Sequence, residues 1–349
     1  MARLGKVSGN VKGKLNFLDQ CTFAQGVAGA GVQVIKDSNI WYVDGSKTDP
    51  AASGEGKTWA GAFLTIAEAI AAAGRMDTIY VAAKNITDYT GDPTSYEETL
   101  IIPNTHDGLQ IIGVSRGQTQ GGLPQIKIGA GSTAMLTIRA AGCLIANMGF
   151  NGASSTGGGI LLDDDYAAKC AFGTTITGCH FKNCVVTTEH AETGGAIYTT
   201  SAGNCWQVLI SGNRFYKNEG DIILVGTSNT VPQDWIIENN IFSGPAANVD
   251  CNIYTGGSGI NGLIIRDNIF TAIPAIGSGA NAAFLVLTGS VGIMSGNMFA
   301  ASVAEGGTER TFGATGDELV PVTMFMAGNY GEFSVGVGAG LVSGEIFRT

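Results

Sequence analysis

Between Cys143 and Tyr330 one arrangement of apolar and polar positions keeps returning, as Leu144-Ile-Ala-Asn147, Ile176-Thr-Gly-Cys-His-Phe181, Ile210-Ser-Gly-Asn-Arg-Phe215, Ile237-Glu-Asn-Asn-Ile-Phe242, Ile265-Arg-Asp-Asn-Ile-Phe270 and Met294-Ser-Gly-Asn-Met-Phe299. The steps between Asn213, Asn240, Asn268 and Asn297 are 27, 28 and 29 residues (240 − 213, 268 − 240, 297 − 268). A period of this size marks a stacked array in which each repeat is one supersecondary unit. Within a unit an apolar residue lies three before the Asn and a Phe two after it, which reads as two short strands around a one-residue corner. Asn tolerates the left-handed backbone that such a corner needs. At about 4.8 Å per coil, stacked Asn side chains can bond to one another's amides while Phe181, Phe215, Phe242, Phe270 and Phe299 stack inward. A second apolar phrase follows each copy (Gly159–Leu162, Gly195–Tyr198, Asp221–Val225, Asn252–Tyr254, Ala283–Leu287) and reads as the next strand of the same coil. The gap between the two phrases varies from 8 residues (223 − 215) to 16 (197 − 181), and variable loops are where a solenoid carries function. The pattern predicts an all-β chain wound as a parallel β-helix.

Upstream, Trp41-Tyr-Val-Asp-Gly45 reads as a strand ending in a turn. Ala62–Ala73 is an Ala-rich apolar helix that stops at Gly74, and Thr78–Ala82, Glu98–Ile102 and Leu109–Val114 are short strands. A helix followed by strands would cover the open end of a coil. Trp41 to Val114 resembles the N-terminal cap and first coils of the pectate-lyase-like right-handed β-helix superfamily, and the resemblance in architecture extends through Tyr330. It implies a right-handed solenoid, preceded by a short extended arm. The expected division is an anchoring arm over 1–38, the β-helix over 39–345 with its cap helix near 62–73, and a tail over 346–349.

Glycine supplies 53 of 349 residues without a three-residue period, and 44% of the chain is hydrophobic, which excludes collagen and a disordered linker. None of the seven cysteines (21, 143, 170, 179, 184, 205, 251) falls in a C-x-x-C pair, and Cys179 takes the place of Asn in its repeat. They read as small buried residues of a reduced protein, with no metal and no cofactor expected. No run approaches the length of a membrane span, and Met1–Ser8 lacks the apolar core of an export signal. The net charge of −10 is segregated: Arg3, Lys6, Lys12 and Lys14 against Asp19 give residues 1–20 a balance of +3, so the remainder carries −13. An acidic shaft argues against nucleic acid and against a groove tuned to polyanionic uronates, whereas a basic arm suits docking on an acidic partner surface.

The catalytic phrases of related enzymes are mostly missing. Of the Asn-Thr-Asp, Asp-Asp, Gly-His-Gly and Arg-Ile-Lys elements of polygalacturonase-like members, only an Asp-Asp pair, Asp163-Asp164, occurs. No Arg-x-Pro-x-x-Arg or Trp-x-Asp-His phrase of pectate lyases is present, and Tyr96-Glu97 resembles only an early element of pectin methylesterases. Asp163, Asp164 and Asp165 form the densest acid cluster, at a strand end. Such carboxylates could serve as glycosidase acid and base or bind calcium, and a solvated turn explains them equally well. Glu189, His190 and Glu192 share a long loop, His106 sits in a turn, and His180 lies inside the repeat facing outward. Trp206 and Trp235 begin strands and could face either way.

Phage virion proteins that resemble this chain combine a short docking segment, a Trp-Tyr-Val-Asp-Gly strand and an Ala-rich cap helix. That resemblance implies a homotrimer on the virion surface, assembled in the host cytoplasm, with Arg3, Lys6, Lys12 and Lys14 as anchors on the major capsid protein or another virion protein. A short arm and an economical C-terminus suit capsid decoration better than a tail spike. The alternatives are a spike or adhesin that binds host glycans, and a polysaccharide lyase or hydrolase. Neither nucleic acid nor membrane insertion is expected.

Overall fold

The computed structural model describes residues 38–47, 54–84, 95–114, 122–129, 133–153, 157–163, 171–185, 194–200, 205–226, 231–243, 251–256, 259–271, 283–300 and 320–334, with the backbone of 28–29, 32–33 and 341–346. It falls into two units, Met1–Ser38 and Asn39–Thr349. In the first, Ala28–Gly29 pairs antiparallel with Val32–Gln33.

The second unit is a right-handed parallel β-helix built from three sheets. Ten strands form the first sheet, from Ile40–Val43 and Thr78–Ala82 through Leu209–Ser211 to Met324–Ala327. Another ten form the second, from Tyr96–Glu97 through Arg214–Tyr216 to Asn329–Ser334 and Leu341–Ile346. The third has seven, from Leu100–Ile102 to Ala283–Val286. Within this unit each strand pairs in parallel with its equivalent one coil away, except that Leu341–Ile346 folds back antiparallel on Asn329–Ser334. Ile346 is thus the last residue of a strand.

Three-residue strands suffice because each needs one inward side chain. In Thr175–Thr177, Leu209–Ser211 and Ile236–Glu238 only the middle Ile is buried. Register then stacks Ile145, Ile176, Ile210, Ile237, Ile265, Met294 and Met326 into one inward row. The second sheet contributes Phe150, Phe181, Phe215, Phe242, Phe270 and Phe299, whose rings stack with centroids 4.6–5.1 Å apart and planes within 10°. Isolated aromatic pairs favour offset or edge contacts. Here the strand spacing of about 4.8 Å imposes the near-parallel stack.

The cap helix spans Ile66–Ala72, a shorter element than the apolar run 62–73 predicts. Phe63 is taken by a bridge to Val43, and Thr65 starts the helix through a capping box with Glu68. Glu98, read from sequence as the start of a strand, instead accepts from the free N–H groups of Ile66 and Ala67 at 3.0 and 2.8 Å. The strand begins at Leu100. Asp77 ties helix to coil: its carboxylate accepts from Asn39 N, Trp41 Nε1 and Gly74 N at 2.6, 2.9 and 2.9 Å.

Candidate functional site

The repeated corner is the most elaborate polar structure among the described residues. Asn213, Asn240, Asn268, Asn297 and Asn329 are all buried. Asn240, Asn268, Asn297 and Asn329 each accept twice from the coil before: Asn240 Oδ1 takes Asn213 N at 2.9 Å and Asn213 Nδ2 at 3.1 Å. All five donate one Nδ2 hydrogen back to a carbonyl, Ile210 O at 3.0 Å for Asn240, and the four from Asn213 to Asn297 donate the other forward, Asn240 to Asn268 Oδ1 at 3.0 Å. Asn297 to Asn329 repeats the step at 2.8 Å.

The left-handed residue of the corner is not the ladder Asn, as the sequence suggests, but the one before it. Gly212, Asn239, Asp267, Gly296 and Gly328 have φ between 56° and 68°. A ladder Asn must turn its amide inward along the coil axis, and the preceding residue absorbs the bend. Asn147, the apparent Asn of the first copy, takes this left-handed slot with φ 55°, which leaves Met148 in the ladder position. Cys179 follows Gly178 in the same slot, and its backbone N–H bonds to Asn213 Oδ1 at 2.9 Å. A second corner shows the same logic over one rung: Lys217 is left-handed with φ 53°, and Asn218 Oδ1 accepts from Cys184 N at 2.9 Å. Asn218 also donates to Asp221, which takes a further bond from Asn252. Nothing in the sequence marks this corner, because Lys217 is not one of the residue types that favour a left-handed backbone.

Of the candidate acids, Asp163 is described and Asp164 and Asp165 lie outside the described residues. Asp163 is bound to Arg139 Nε at 3.0 Å across neighbouring strand ends, with both side chains partly covered. Glu189, His190 and Glu192, and the arm residues Arg3, Lys6, Lys12 and Lys14, also lie outside the described residues. Tyr96 is buried, its hydroxyl donating to Ala82 O at 2.8 Å and accepting from Gly45 N at 3.0 Å, and Glu97 pairs with Lys127. His106 is bonded through Nε2 to Ile70 O at 3.1 Å and lines a 440 Å³ cleft with Ile70, Ala71, Thr99 and Ile101. His180 is half-buried. Trp235 is fully buried with its Nε1 on Cys205 O, whereas Trp206 is 40% exposed. Cys143, Cys179, Cys184, Cys205 and Cys251 are buried free thiols. Burial pushes Cys143 and Cys179 up to about 12 and raises Cys184 as well, so they stay protonated and unreactive at neutral pH.

The outer surface holds a feature that the apolar phrases did not advertise. On the first sheet, one register position faces outward and reads Leu209, Ile236, Ile264, Ile293 and Phe325 in successive coils. On the second, the residue between Asn and Phe reads Ile241, Ile269, Met298 and then Tyr330. These two rows flank the asparagine corner. The charged groups beside them include Glu238, which accepts from Arg266 Nε at 2.7 Å across one coil step.

No protein-family model matches the chain, and no curated protein matches it. Among solved structures it is similar to an alginate lyase from Paenibacillus sp. str. FPU-7, at 13% identity over 76% of this chain and 92% of that one, with a TM-score of 0.46. It is also similar to a pectin methylesterase from carrot, at 13% identity over 88% and 86%, with a TM-score of 0.42. A GH136 lacto-N-biosidase from Eubacterium ramulus matches at 10% identity over 85% and 68%, with a TM-score of 0.35. These neighbours act on polysaccharides or oligosaccharides by name, and the likeness concerns the coil alone.

Proposed function

We propose that the chain is a structural protein of a phage virion, a homotrimeric β-helix fastened to the particle by its basic N-terminal arm, with capsid decoration as its place. The observation that carries this reading is the unbroken asparagine ladder over a continuous Phe stack. It commits the interior of successive coils to rigidity, which suits a projecting rod. The charge division supports the arm as the docking element, since residues 1–20 carry +3 and the rest −13. Three arms per trimer turn weak, salt-sensitive contacts into stable attachment.

The test is co-sedimentation of purified chain with undecorated particles. Removing residues 2–36 is expected to abolish binding, and raising salt to weaken it; binding that survives the deletion removes the anchoring idea. Counting copies separates the two virion places, since hundreds per particle mean a shell and a few mean a tail. The neighbouring reading, a glycan-binding spike or a polysaccharide lyase or hydrolase, is checked by incubation with a polysaccharide panel. Release of unsaturated products or reducing ends that Asp163→Ala abolishes would replace the structural reading.

A further inference from the structure

Large apolar side chains are unevenly placed on the coil. Of the thirteen exposed among the described residues, seven fall at or after Ile269, and Phe325, Met298 and Tyr330 are 62%, 56% and 53% exposed. Five of the seven, Ile269 and Ile293 at 39% and 45% with those three, belong to the two rows that flank the asparagine corner; Val291 stands two residues before Ile293 on the same strand face, and Val322 lies three residues before Phe325. Lower in the coil the two registers are no longer apolar together: the first reads Leu209, Thr175, Leu144 and Gln110, while the second reads Arg214, His180 and Gly149. An apolar surface confined to one corner and to the same coils on both sides of it is a contact surface.

We propose that copies of this chain pack side by side along this corner, parallel and at one height, with the first-sheet row of one copy lying on the second-sheet row of the next. The proposal rests on the homo-oligomer reading above and assigns its contact face. Three observations select a second copy as the occupant. Both rows repeat at the strand spacing of about 4.8 Å and occupy the same coils, so a rotation about an axis parallel to the coil, with no shift along it, brings one row onto the other in step. The coil carries −13 and would repel itself, yet the charged residues in the segments 209–216, 236–243, 264–271, 293–300 and 325–332 are Arg214, Glu238, Arg266, Asp267 and Glu332, which sum to only −1. This face is therefore one where two like-charged coils meet with little repulsion. Each copy offers one row to each of two neighbours, so a closed ring covers both rows of every copy at once.

Within one coil Phe325 stands on the first sheet and Tyr330 on the second, so each faces the other across the contact. The experiment is sedimentation equilibrium of the full chain over a range of concentrations, with circular dichroism to follow the fold. The wild type is expected at the mass of three chains. Phe325→Glu alone and Tyr330→Lys alone are each expected to drop it threefold, to one chain, with an unchanged spectrum, because both side chains are exposed. The double variant sets Glu against Lys at every contact and is expected to regain the higher mass. Thr175→Glu, at the first row's register but below it, is expected to stay at three chains. A trimer that both single variants leave intact overturns this face while the oligomer reading stands. A wild type that remains one chain throughout overturns both, as would be the case if another segment of the chain covered the rows. Single variants that dissociate with no recovery in the double variant overturn the row-on-row arrangement.

Discussion

At the level of single residues, the Asn in each repeat does more than shape a turn. Asn240 makes four hydrogen bonds through a buried amide, so Asn240→Ala strands two donors on Asn213 and the Ile210 carbonyl together, while Asn268 Oδ1 keeps its bond from the backbone N–H of residue 240. Each unsatisfied buried group costs about 1–3 kcal/mol, and we expect a loss of about 4 kcal/mol in urea unfolding. Cys179 allows the opposite experiment. Its Sγ reaches Thr177 O at 3.4 Å and makes a long contact of 3.7 Å to Ile145 O, where a ladder amide would donate, so Cys179→Asn should extend the ladder by one rung and add about 1 kcal/mol in the same assay. The period located the asparagine ladder and the Phe stack in the sequence, yet it misplaced the bend. In Ile237-Glu-Asn-Asn, either Asn tolerates a positive φ, and which one turns inward depends on the coils above and below. For the same reason Asn147 looked like a rung while Met148 occupies that position.

Between elements, the joint that matters is the one holding the cap helix to the first strands. The helix and its approximate place were legible from the Ala-rich run before Gly74; its first turn was not, because Glu98 reaches it from 32 residues away in sequence. Asp77 is the other clasp. Burial would raise its pKa, but bonds from Asn39, Trp41 and Gly74 outweigh that and hold it below the ordinary 3.8. A depressed carboxylate stabilises the fold fully above 3.8 and loses that contribution as pH falls through its lower folded value. Asp77→Asn places an amide against these donors, so it should melt well below the wild type at pH 7, with the gap narrowing as pH drops below 3.8. Thermal melts from pH 7 to 2 measure this; a gap that stays constant would mean the carboxylate's charge contributes nothing. The acid cluster was legible only as a cluster. That Asp163 is held by Arg139 depends on a neighbouring coil 24 residues away, a distance that no local phrase encodes.

For the whole coil, sequence period and structure agree on a right-handed parallel β-helix, because one inward side chain per short strand is enough to define each layer. The outward rows were not legible as a surface: Ile241 and Ile269 sit inside the repeated phrase, where an apolar residue next to Phe reads as more core. Only strand alternation and register place them outside. The ladder has one further consequence. In each rung from Asn213 to Asn297 the backbone N–H and one amide hydrogen wait for the oxygen of an Asn that comes 27 to 32 residues later, so the array has a direction. Coils that emerge from the ribosome first can be laid down first, and each new one finds open donors on the coil just completed. Growth at about 5–20 residues per second delivers a coil every few seconds, ample time for a strand to seat before the next arrives. A rod made this way is finished when its last residue is made.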